Sequence, residues 1–135
     1  MASTKKTPYV IHFHNAYRAG KHYDLRLKYT DKKMLISFAV PIDKFPIKKG
    51  EKGLAIQTPD HGVGWLYREK LEIPRGQYGG GFIERKQYGD AKIIAWKSNY
   101  IEFEIKGDFA TGVYFLFKLG KKKGKNEIWI FYKKV

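Results

Sequence analysis

The sequence predicts a mainly β, single compact antiparallel barrel with little helix, and three observations predict it. Apolar and aromatic residues recur with a period of two in short runs, the pattern of strands with one face toward a core. Turn-forming residues interrupt those runs at short intervals. No segment sustains a helical or heptad period, and no internal repeat is visible. Closing the strands into a barrel removes the exposed edges that an aromatic-rich open sheet would present.

The elements follow in order. Residues 1–8 are polar and basic and are expected to be a flexible N-terminal tail ahead of a barrel domain over residues 9–135. Tyr9 to His14 is β-branched and aromatic. His22 to Tyr29 alternates cleanly, with Tyr23, Leu25, Leu27 and Tyr29 on one face and His22, Asp24, Arg26 and Lys28 on the other. Thr30 to Lys33 reads as a hairpin turn into a strand from Met34 to Val40. Pro41 and Pro46 mark an irregular connection before a strand from Gly53 to Thr58. Beyond Gly79-Gly80-Gly81, strands are expected at Phe82 to Glu84, Ala91 to Trp96, Tyr100 to Ile105, Gly112 to Lys118 and Glu127 to Tyr132. Gly120 to Lys125 reads as a basic hairpin loop.

Composition narrows the function. A chain of 135 residues with no cysteine fits one domain, has no disulfide framework and offers no thiolate metal site. Lys and Arg number 27 against 13 Asp and Glu, a formal net charge of +14 that points to a polyanion, DNA or RNA first. The basic residues are scattered through strand-like segments instead of lining one helical face, so a membrane surface is the weaker partner. With no signal-peptide pattern and no run long enough to span a bilayer, a soluble, cytoplasmic monomer is expected.

The chemistry concentrates near the start. His12, His14, His22 and Asp24 fall within thirteen residues, and imidazole with carboxylate suits divalent manganese, iron or zinc. Strand alternation aims His12 with His14, and His22 with Asp24, at common faces. Arg26 continues that alternation, and an arginine beside a metal suggests phosphate.

In chain order, His22-Tyr-Asp-Leu-Arg-Leu27, Phe38-Ala-Val-Pro41, Asp60-His61, Ile73-Pro-Arg-Gly-Gln-Tyr-Gly79 and Gly89-Asp90 resemble the 3′-phosphoesterase domain of bacterial ligase D and its stand-alone relatives. The resemblance implies a manganese-dependent β-barrel enzyme that removes a 3′-terminal ribonucleotide or 3′-phosphate and leaves a hydroxyl for a separate ligase or polymerase. It assigns the metal to His14, His22 and Asp24, and the scissile phosphate to Arg26 and His61. The chain departs from the family pattern at His12, where relatives tend to carry glutamine, and at Gly53 and Pro59, where they carry arginine and glutamate. His12 is therefore a candidate extra ligand, supporting group or substrate contact, and Lys44, Trp65, Tyr67 and Arg75 are candidate substrate contacts. Plainer readings remain open: a structural His12, a cross-strand Asp24–Arg26 ion pair, solvated lysines at 121–125, and a barrel that binds nucleic-acid ends without turnover.

Overall fold

The computed structural model describes residues 5–135 and forms an antiparallel barrel of eight strands with a ninth on its rim. Its strands are β1 (Lys5–Ala16), β2 (Gly20–Lys28), β3 (Met34–Pro41), β4 (Lys52–Gly62), β5 (Lys70–Ile73), β6 (Gly81–Lys97), β7 (Tyr100–Ile105), β8 (Gly112–Lys123) and β9 (Asn126–Lys133). They run β1-β2-β3-β4-β9-β8-β7-β6, and pairing of β6 with β1 closes the ring. β5 adds to the start of β6, whose other half pairs with β7. A 3₁₀ helix, Val63–Tyr67, follows β4. No helix among the described residues is long and apolar enough to cross a membrane.

Period-two alternation supplies the core. Tyr9 and Ile11 of β1, Leu25 and Leu27 of β2, Phe38 and Val40 of β3, and Trp129 and Phe131 of β9 form one buried cluster inside the barrel. Removing each large apolar side chain from water contributes about 2 kcal/mol, so this interior carries most of the hydrophobic stabilisation. The polar tips that enter it are satisfied: Gln87 Nε2 donates to Tyr9 Oη at 2.6 Å, and Tyr114 Oη donates to the Pro46 carbonyl at 2.7 Å.

Three sequence expectations need correction. β1 starts at Lys5 and buries Thr7, so half of the expected tail is strand, while residues 1–4 lie outside the described residues. The two runs on either side of Arg85 to Asp90 are one strand of 17 residues, because β1 pairs along most of it. The basic segment from Gly120 is mostly strand, and the hairpin turns only on Gly124 and Lys125. The short strand β5 and the 3₁₀ helix lacked a usable pattern and were not anticipated.

The register of the first strands builds the functional surface. Cross-strand pairs His14–His22, His12–Asp24 and Val10–Arg26 join β1 to β2, and Asp24–Ala39 and Arg26–Ser37 join β2 to β3. These residues alternate with the core cluster, so they stand on the outside of the barrel. That outer face is nevertheless buried. Leu66 and Trp65 of the 3₁₀ helix pack with Val10 and Leu35 on one side of it, and the turn over residues 74–80 covers another, tied by Tyr17 N–H to the Gly80 carbonyl at 3.0 Å.

Candidate metal centre

His14, His22 and Asp24 converge. Their candidate ligand atoms all lie within 4.8 Å of one another, and all three side chains are buried or nearly so. His14 Nδ1 is 3.2 Å from one Asp24 carboxylate oxygen and His22 Nε2 is 3.2 Å from the other. Two backbone carbonyls orient the rings, one distant in sequence and one local. His14 Nε2 lies 2.8 Å from the Gly79 carbonyl and His22 Nδ1 lies 3.2 Å from the Gly20 carbonyl. A carbonyl only accepts, so those nitrogens carry the hydrogens, a tautomer assignment that follows from the partners.

With their remote N–H groups committed, two neutral imidazoles turn lone pairs toward an ionised carboxylate. Such an arrangement is stable only with a cation or a proton between the groups. A divalent ion fits it, with three protein ligands and remote N–H groups held by the backbone, as catalytic sites favour. Burial opposes the charge on Asp24, but its contacts with His14 and His22 and the nearby Arg26 outweigh that cost and hold its pKa well below the carboxylate range. Burial likewise disfavours a charged His22, but Asp24 wins and raises its pKa.

Gly20 and Gly79 both have a φ of 76°. Left-handed backbone at that value is cheap only for glycine, and it turns these carbonyls toward the histidines. Sequence reading missed the carbonyls. The only available signal was a glycine two residues before His22 and another closing the Ile73 to Gly79 run.

His12 takes no place in the coordination set. Its Nε2 donates to the Arg68 carbonyl at 2.9 Å, and its Nδ1 accepts from Arg26 Nη1 at 2.9 Å. Both nitrogens are used, which leaves none for a metal or substrate and corrects both of those expectations. Burial, with the Arg26 charge, pushes its pKa down to about 4, although the Arg68 carbonyl favours the charged form. A neutral His12 thereby braces a charged Arg26. The Arg26 guanidinium also lies 3.5 Å from Asp24 and 4.9 Å from the Trp65 ring centre, and its Nε has no partner among the described residues.

A cleft of about 950 Å³ opens over this centre. His14, His22, Asp24 and Arg26 line it together with His61, Trp65, Arg75 and the turn through Gly80. His61 meets Trp65 edge-on at 5.3 Å, and burial followed by the Arg26 charge lowers its pKa. Arg75 stacks 4.0 Å over the Tyr17 ring, and Tyr78 is 73 % exposed at the cleft. Two expected contacts fall elsewhere. Tyr67 turns outward toward Tyr88, with ring centres 6.1 Å apart. Lys44 lies on the exposed connection after β3 and does not line the cleft. The Lys44 backbone explains Gly53 instead, because a Cβ at 53 would run into the Lys44 carbonyl.

Comparison with known proteins agrees with this geometry. The family model described as DNA Ligase D 3′-phosphoesterase domain matches residues 12–118, most of the chain. A search among curated proteins finds no match.

Proposed function

Because the chain belongs to the DNA ligase D 3′-phosphoesterase domain family, we propose that it is a manganese-dependent hydrolase that heals nucleic-acid 3′ ends. It removes a 3′-terminal ribonucleotide, a 3′-phosphate or both, leaving a 3′-hydroxyl that a separate ligase or polymerase can use. The observation that carries the reading is the convergence of His14, His22 and Asp24 on the outer face of the barrel, with Arg26 beside them lining the cleft. The family's phosphoesterase assignment and a net charge of +14 point the same way.

His14, His22 and Asp24 would hold the ion. When bound, a divalent ion supplies charge that polarises a phosphoryl oxygen and makes water more acidic. Arg26 cannot lose its proton, and a second nonbridging oxygen can accept from its unpartnered Nε. In its protonated form His61 would give the leaving oxygen its proton, and burial with the Arg26 charge, by lowering its pKa, makes it a readier acid. Trp65 offers a face to the terminal nucleoside, and Arg75 offers charge to the strand. The chain would act as a cytoplasmic monomer.

Two substrates test the reading. In manganese, a primer–template with a 3′-ribonucleotide or a 3′-phosphate should be shortened or release phosphate, and EDTA or His22→Ala should abolish the reaction. Retained binding with no turnover in manganese or zinc would favour the second reading, an end-binding barrel without catalysis.

A further inference from the structure

Apart from Lys123, the last residue of β8, every residue lining the cleft comes from the first four strands, the turn between β1 and β2, the 3₁₀ helix, the segment from Ile73 through Gly80 or the start of β6. In the closed strand order, β8 lies halfway round the barrel from β2. A straight hairpin there would carry its lysines away from the metal centre. Two local features bend it back. The β8–β9 register shifts between Lys118 and Lys121, and Gly120 within that irregularity has a φ of 77°. Bulges of this kind bend the strand and increase its twist. β9 also pairs with β4 only as far as Ile128, so the hairpin beyond is free of β4.

The register then selects which lysines face the cleft. Lys121 pairs with Ile128 and Lys123 with Asn126, while Ile128 pairs with Ile56 on the cleft wall. Lys122 points to the other face and meets Glu127 at 3.8 Å. Lys121 and Lys123 form no ion pair among the described residues. At the opposite side of the cleft, beside β1, the turn through Gly80 closes over the histidines.

We propose that the β8–β9 hairpin is a phosphate-binding arm, in which Lys123 with Lys121 beside it holds the phosphodiester backbone upstream of the 3′ end seated at the metal centre. The inference rests on the phosphoesterase reading and adds a direction to it. The terminal nucleoside lies under the turn, and the polynucleotide leaves past the hairpin. A free phosphate or mononucleotide would not reach this arm, so the arm selects polymer ends.

The test compares Lys121→Gln/Lys123→Gln with Lys48→Gln/Lys49→Gln, which removes the same charge from the exposed connection between β3 and β4. Anisotropy of a labelled primer–template is read in EDTA over a salt series, followed by turnover in manganese. The hairpin pair should weaken binding about tenfold and flatten the logarithmic salt dependence by ~1 to 2, while the control pair changes binding by less than about twofold. Equal losses in the two double variants would overturn the arm. Binding is read without turnover, so the two ideas separate: hairpin-dependent binding with no cleavage sinks the phosphoesterase reading alone, and cleavage with an indifferent hairpin sinks the arm alone.

Discussion

Leu25 and Leu27 point into the barrel while Asp24 and Arg26, one residue away from them, point out, and all four side chains are almost completely shielded from water. The interior is dry because eight strands surround it. The outer patch is shielded because the 3₁₀ helix and the turn through Gly80 flank it, leaving only the cleft open. One environment rewards apolar surface in proportion to its area. The other buries two charges and three histidines, and it is tolerable only where every lone pair and proton is matched. Equal burial therefore has opposite meanings on the two faces: stability inside, and a strained demand for a ligand outside.

Four measurements can break or sharpen that division. The largest effect is expected at the centre itself. Asp24→Asn should lower manganese-dependent turnover by about three orders of magnitude, ~4 kcal/mol, and abolish the manganese-induced rise in Tm. For the unaltered chain that rise corresponds to about 2.7 kcal/mol at a hundredfold excess of metal over Kd. Next, Leu25→Ala should cost ~3 kcal/mol and lower Tm by about 10 °C, yet change metal affinity less than twofold. Comparable losses of metal affinity in these two variants would mean that the faces are not independent.

The third measurement uses pH. Folding lowers the His12 pKa to about 4 from its ordinary 6.5. The unfolded chain thus binds the proton more readily, so this contribution is full above pH 6.5 and is lost as pH falls toward 4. Urea unfolding in EDTA should show ~2 kcal/mol lost between pH 7 and pH 5 through this group, and His12→Gln should remove that part of the slope. His22 has the opposite sign: its raised pKa adds stability at low pH that fades as pH rises through the raised value. A steeper acid loss in His12→Gln than in the unaltered chain would contradict a buried neutral His12. The smallest effect is expected at Gly79→Ala. Its left-handed φ should cost about 1 kcal/mol, and disturbing the carbonyl that orients His14 should weaken manganese about tenfold by titration calorimetry.

Much of this arrangement was legible beforehand. Alternation through β2 separated Leu25 and Leu27 from Asp24 and Arg26, because a strand's period of two is a local property of the backbone. The same pattern, the ordered motifs and the lack of helical periodicity sufficed for an antiparallel barrel and for naming His14, His22 and Asp24 together. His12 was harder, since its spacing equals that of a ligand and only the Arg68 carbonyl, 56 residues away, reveals its task. Lys44 and Tyr67 were placed by motif position, whereas the turns of their connections decide where they point.

By itself, then, the sequence determined which residues share a face and what chemistry each face carries, since both follow from backbone geometry and side-chain type over a few residues. Only the tertiary structure decided that the polar face would be buried outside the barrel, that the Gly79 carbonyl would lock His14, and that Lys123 would come round from the far side. Those outcomes depend on contacts between segments far apart in the chain, and strand periodicity holds no information about which distant segment will cover a face.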